Sequence, residues 1–103
     1  MDMTIPEVQE RVDAREIEEI CRRHHVRELA VFGSVARGEA PGDSDVDLFV
    51  EFEAGYHPGL QWFDLEEDLE KALGRRVDLS RKALLKPRVR REAERDAVVL
   101  YAA

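Results

Sequence analysis

A single cysteine, Cys21, is all the thiol the sequence contains, so no internal disulfide is available and a disulfide-stapled scaffold is excluded. A lone thiol also fits a reducing compartment. No stretch approaches the roughly 20 consecutive apolar residues that cross a bilayer. The amino terminus, MDMTIPEVQERVD, is acidic and has no apolar run behind it, unlike a secretory leader. A cytoplasmic address with no membrane contact is therefore expected. Surplus positive charge is missing too: 16 Lys and Arg stand against 23 Asp and Glu, a formal net charge of −7. Affinity for nucleic acid rests on neutralising phosphates with Lys and Arg, so nucleic acid is not expected as the main partner. Lysine is scarce beside arginine, a bias that suits a thermophile and a GC-rich genome equally.

What is present is 44% hydrophobic and 38% charged residues in 103. That supports one small core under a heavily charged surface, and residues 1–103 read as a single domain. The charge is uneven. Residues 1–74 carry 7 basic and 19 acidic side chains, whereas residues 75–103 carry 9 and 4. Arg88, Arg90, Arg91 and Arg95 crowd the basic part. That stretch is either a solvated helix face or an electropositive surface for an acidic partner or a nucleic acid.

Periodicity divides the chain into alternating helices and strands. Residues 6–24 read as a helix, with Thr4 as cap, Pro6 in the first turn and an apolar stripe from Val8 to His24. Residues 29–32 are a short apolar run stopped by Gly33, as in a strand buried on both faces. A turn or short helix follows at 34–38, then a loop through Pro41, Gly42, Asp43 and Ser44. Across 45–52, Val46, Leu48, Val50 and Phe52 alternate with Asp45, Asp47, Phe49 and Glu51, a strand period of two. After a Gly- and Pro-rich loop, Trp62, Leu65, Leu69, Ala72 and Leu73 recur at helical spacing, and Gly74 suits the helix end. Residues 76–80 read as a third strand, 87–96 as a basic helix opened by Pro87, and 97–101 as a final strand. This order predicts an α/β fold, a small mixed β-sheet flanked by helices.

The chemistry gathers around Gly33 and Ser34 and around Asp45, Asp47 and Asp78. Side chains two apart on a strand share a face, so Asp45 and Asp47 are expected to present both carboxylates on one side. Two unit charges about 4 Å apart repel by roughly 4 kcal/mol at an effective dielectric near 20. A hard divalent cation removes that penalty, and Mg²⁺ sits on one or two carboxylates plus substrate phosphates. Asp78, between Val77 and Leu79 on a neighbouring strand, can supply a third acid. Three such acids can hold two ions, the arrangement that clamps attacking and leaving oxygens in nucleotidyl transfer. Gly33 and Ser34 open a turn whose free backbone N–H groups can face phosphate oxygens. Arg37 can fork onto a phosphate or pair with Glu39 or Asp43. A calcium loop from Asp43 fails, because Leu48 and Ala54 stand where Gly and Glu are needed; a P-loop fails because Glu39 replaces its lysine.

Asp-x-Asp or Gly-Ser alone would say little. Together, the string Phe32-Gly33-Ser34-Val35-Ala36-Arg37-Gly38 followed by Ser44-Asp45-Val46-Asp47-Leu48 resembles the signature of the DNA polymerase beta-like nucleotidyltransferase superfamily. It is most similar to the minimal branch, the MNT or MntA-like proteins. The resemblance extends through Val77-Asp78-Leu79 to the ending Val98-Val99-Leu100-Tyr101. It implies a polymerase beta-like core, a triphosphate held at Gly33 and Ser34 with Arg37 and Ser44 nearby, and two Mg²⁺ ions on Asp45, Asp47 and Asp78. It further implies an antitoxin that moves AMP from ATP to a tyrosine of a HEPN-domain toxin. Once the strands and helices are assigned, little chain remains to grip a separate acceptor, which suits a partner bringing its own hydroxyl. Three other readings stay open: a non-catalytic module that neutralises its partner by occlusion, transfer to tRNA, or transfer to a small molecule. Association with itself or with a partner is open as well.

His24 and His25 are expected to end the first helix, where a histidine meets the dipole favourably, rather than to bind metal. Cys21 is expected in the core. Trp62 and Phe63 are expected to anchor their helix, although Tyr56, His57 and Trp62 bracket a loop that could stack on a base.

Overall fold

The computed structural model describes residues 13–40 and 44–103. The first described helix, α1 (Ala14–Arg23), starts at Asp13, whose side chain accepts from the Arg15 N–H at 2.9 Å. The helix expected over 6–24 therefore does not run through Asp13, whose backbone is extended and whose side chain caps the helix that starts at Ala14; residues 6–12 lie outside the described residues. A carboxylate on the orphan amides of a first turn gives such a start its stability. Thr4, Pro6 and the 41–43 part of the acidic loop lie outside the described residues.

Strand β1 (Val26–Phe32) follows. The chain then turns through a one-turn helix, α2 (Gly33–Ala36), and returns as β2 (Val46–Phe52). Helix α3 (Gln61–Leu73) ends at Gly74, in the left-handed region at φ 66°, the conformation a helix-stopping glycine adopts without a Cβ penalty. Strand β3 (Val77–Arg81) leads through a 3₁₀ turn (Lys82–Leu84) to α4 (Pro87–Asp96) and β4 (Val98–Ala102).

The sheet order is β3-β2-β1-β4. Strand β1 is antiparallel to β2 and β4, and β2 is parallel to β3, its connection passing through α3. The sheet is therefore mixed, as expected. Its main core gathers Ile17, Ile20 and Cys21 of α1, Leu65, Leu69 and Leu73 of α3, and Val46, Leu48 and Val50 of β2. Burying such side chains stabilises by about 1.5–3 kcal/mol each. A smaller cluster on Ala30, Phe49 and Ala93 seats α4. Phe49 shares the period of Asp45 and Asp47, yet it is 2% exposed, because α4 covers that end of the face. The carboxylate end lies beyond α4's apolar contact.

Candidate active site

Strand register assembles the site. The antiparallel pairing sets Phe32 opposite Asp47, one residue before the chain turns at Gly33. The parallel pairing sets Asp78 beside Asp47. Val46, Leu48, Val77 and Leu79 are buried in the main core, so the aspartates between them point away from it, to the other face. Asp47 is half-buried and Asp78, on the edge strand, is exposed. Asp45 stands just before β2 and is exposed.

Gly33 is required at its position for two independent reasons. Its φ of +74° is one that L side chains rarely adopt, and a Cβ there would run into the Asp47 carboxylate: it would meet Oδ2 first and lie 3.2 Å from Cγ. The backbone turn and the central acid thus touch.

The electrostatics follow from this crowding. Burial holds the Asp47 carboxyl above the usual carboxylate range, and the charges of Asp78 and Asp45 push it the same way, while Arg37 opposes them. Hydrogen bonding between the Asp47 and Asp78 carboxyls adds a last contribution in the upward direction. A carboxyl that resists ionisation beside like charges is one a cation would relieve. The donor set, all carboxylate oxygen, fits a hard divalent ion such as Mg²⁺. Among the described residues, no three His, Cys, Asp or Glu side chains stand close enough together to hold a metal ion as they are.

Arg37 makes the ion pair that was one of its two alternatives, and adds a second. Its Nε lies 3.1 Å from Glu39 Oε2, and its Nη1 3.2 Å from Asp96 Oδ2 at the end of α4. Ser34, half-buried in α2, accepts at its carbonyl from the Glu39 N–H at 2.8 Å. Ser44, also half-buried, accepts at its carbonyl from the Arg75 guanidinium. Arg76, next in the chain, sets its Nε 3.5 Å from Asp45 Oδ1. Arg75 and Arg76 belong to no motif in the sequence. Their only signal was position, directly before the strand that carries Asp78.

Other candidates fall elsewhere. Cys21 is fully buried, and desolvation pushes its thiol up to about 12, as expected of a core residue. His24 Nε2 lies 2.8 Å from Asp68 Oδ2, tying α1 to α3. Tyr56 packs against His25 and Phe52, its hydroxyl donating to Gln61 Oε1 at 2.5 Å. Trp62 meets Phe52 edge-on at 6.2 Å. These rings gather at the Phe52 end of β2, roughly 16 Å along the strand from Asp47, so Trp62 anchors its helix as expected. Phe63, also expected to anchor it, instead lies on the outer face of the helix and is 63% exposed.

Residues 14–100 match the family profile of the nucleotidyltransferase domain. The chain belongs to this family. This nucleotidyltransferase domain is 43% identical over 96 residues to protein adenylyltransferase MntA of Thermococcus cleftensis, covering 93% of the chain and 95% of that relative. The solved structure of a candidate minimal nucleotidyltransferase superposes with a TM-score of 0.74 at 41% identity, covering 93% of this domain and 95% of that chain. A chain from the complex of a tri-AMPylated Shewanella oneidensis HEPN toxin with an MNT antitoxin shares the fold, with a TM-score of 0.62 at 18% identity over 92% of this domain and 72% of that chain. The mixed four-stranded sheet with its flanking helices is thus the minimal nucleotidyltransferase fold, and the domain is an MntA-like homologue. Among the described residues, no helix is long and apolar enough to cross a membrane.

Proposed function

We propose that this nucleotidyltransferase domain transfers AMP from ATP to a hydroxyl of a partner protein, and that the partner is a HEPN-type toxin silenced by the modification. The observation that carries this reading is the contact between the Gly33 turn and Asp47, with Asp78 in register beside it. A bare backbone turn against an acid pair suits a triphosphate whose charge is shared with cations. Two further facts support it: the MntA relative is named a protein adenylyltransferase, and the toxin in the related complex is AMPylated.

Asp45, Asp47 and Asp78 would hold two Mg²⁺ ions, which when bound neutralise the carboxylates and phosphates and favour in-line displacement. The chain's own contribution is positioning and proton transfer. Gly33 and Ser34 offer backbone N–H groups and the Ser34 hydroxyl to the β and γ phosphates, with Ser44 and Arg37 at the margins. Asp78 is exposed on the edge strand, the side from which an acceptor hydroxyl can approach. The hydroxyl oxygen, of a tyrosine in this reading, bonds to the α phosphorus. The bond from the α phosphorus to the bridging oxygen breaks and pyrophosphate leaves. Asp78 takes the hydroxyl proton. The half-buried Asp47 anchors the arrangement against the Gly33 turn.

Asp45→Asn and Asp47→Asn should each abolish transfer to the partner while the protein stays folded, checked by intact-mass measurement of the partner. Retained transfer in either variant contradicts the mechanism. One observation favours a rival, occlusion without catalysis: Asp45 is paired with Arg76, leaving one acid of the set engaged. Co-expression of the partner with Asp45→Asn separates the two, because occlusion still protects the host and catalysis does not.

A further inference from the structure

We infer that Arg76 is a relay cation, pairing with Asp45 and passing to the nucleotide's phosphates when nucleotide binds. The inference rests on the reading of the site as a nucleotidyltransferase centre. Its geometry comes from the parallel register. Val46 pairs with Val77 and Asp47 with Asp78, and the Val46 N–H donates to the Arg76 carbonyl at 2.9 Å. Arg76 is therefore level with Asp45, one row out from the Asp47 and Asp78 row. Two residues before Asp78, it belongs to the same face of the sheet edge, and its ion pair with Asp45 at 3.5 Å sets it on the acidic cluster.

The pair is built to be exchanged. The Arg76 side chain is 84% exposed and that of Asp45 48%, so little burial locks either in place, and ion pairs of that kind contribute at most about 1 kcal/mol. The backbone beneath is held more firmly. The Arg75 guanidinium ties the α3–β3 turn to the Ser44 carbonyl, directly before Asp45. The Val77 N–H donates to Glu70 Oε2 at 3.1 Å. A fixed base under an exposed guanidinium is what a phosphate-capturing side chain needs, because the planar fork matches phosphate oxygens. With Asp45 engaged by a divalent cation, the Arg76 guanidinium would be released beside the phosphate oxygens and free to take them as partners. Arg37, by contrast, is anchored at both Glu39 and Asp96 and is the static cation of the site.

The test is a pair of titrations on wild type, Arg76→Gln and Arg76→Lys. One follows Mn²⁺ alone by the paramagnetic signal of the free ion. The other follows a non-hydrolysable α,β-methylene ATP analogue at saturating Mg²⁺ by calorimetry. A relay cation competes with metal and assists nucleotide, so Arg76→Gln should bind Mn²⁺ about threefold more tightly, the scale of an exposed ion pair. It should bind the analogue roughly tenfold more weakly, the scale of a charge-assisted hydrogen bond. Arg76→Lys should leave Mn²⁺ affinity near wild type and recover only part of the analogue affinity, because charge remains and the fork is lost. A merely structural residue would move both affinities the same way or neither. Opposite shifts support the relay; analogue affinity within twofold of wild type in Arg76→Gln overturns it and leaves the nucleotidyltransferase reading standing. A wild-type protein that binds neither Mn²⁺ nor the analogue would overturn both.

Discussion

Gly33 and Asp47 are where the sequence had least freedom. The left-handed φ and the contact with the Asp47 carboxylate act at one atom position, so Gly33→Ala is expected to meet a backbone penalty of about 1–2 kcal/mol together with displacement of Asp47. Chemical denaturation should report a loss of about 2 kcal/mol, and transfer activity should fall below detection even below the melting point. Asp47 carries the opposite kind of strain. Its carboxyl is held above the ordinary value of 3.8 by burial and by Asp78 and Asp45, so the folded state binds that proton more tightly than the unfolded chain does. The stability tied to this proton is fully present below 3.8 and is lost as pH rises through the raised folded value. Asp47→Asn, which cannot ionise, is therefore expected to be more stable than wild type at pH 7. The gap should close as pH falls toward 3.8, measured by melting temperature in metal-free buffer; an equal gap at all pH values would contradict this account of Asp47. The importance of both residues was legible in the sequence, because a glycine ending an apolar run and an acid alternating with core residues leave local patterns. Arg76 was not legible. Its partner is set by parallel pairing across an intervening helix, which periodicity does not report.

At the level of elements, the helices and strands followed from apolar spacing, and the errors sit where a local polar group overrode it. The apolar stripe that suggested one helix over 6–24 continues across position 13, but the Asp13 side chain satisfies the Arg15 amide and α1 starts there. Phe49 shows the reverse. Its period marks it as facing away from the main core, and it does, but Ala93 of α4 arrives from far along the chain to bury it. Strand β2 is therefore covered on both faces at one end and bears acids at the other. Helix α3 matters because it carries the chain from β2 to the parallel β3 and so sets the register that pairs Asp47 with Asp78. Leu69, fully buried on α3, holds it down. Leu69→Ala is expected to lower stability by about 3 kcal/mol, and residual folded protein should show weakened metal affinity as the β2–β3 register loosens.

Across the whole molecule, the uneven charge noted in the sequence takes a shape. The basic residues of α4 largely face acids on their own helix, as Arg88 does Glu92 and Arg90 does Glu94, which matches the solvated-face alternative for that stretch. The acids of the 45–47 segment and Asp78 instead gather beside one glycine turn. The domain thus concentrates negative charge at one end of its sheet, with Asp45 alone of the three held in an ion pair among the described residues, to Arg76, as a centre that takes cations and a triphosphate requires. The most direct measurement is label transfer in host lysate with Mg²⁺, comparing ATP labelled at the α phosphate with ATP labelled at the γ phosphate, for wild type and Asp47→Asn. The account requires a protein band labelled from the α position only and absent with Asp47→Asn. Label from the γ position only, or an α-labelled band that persists with Asp47→Asn, would contradict it.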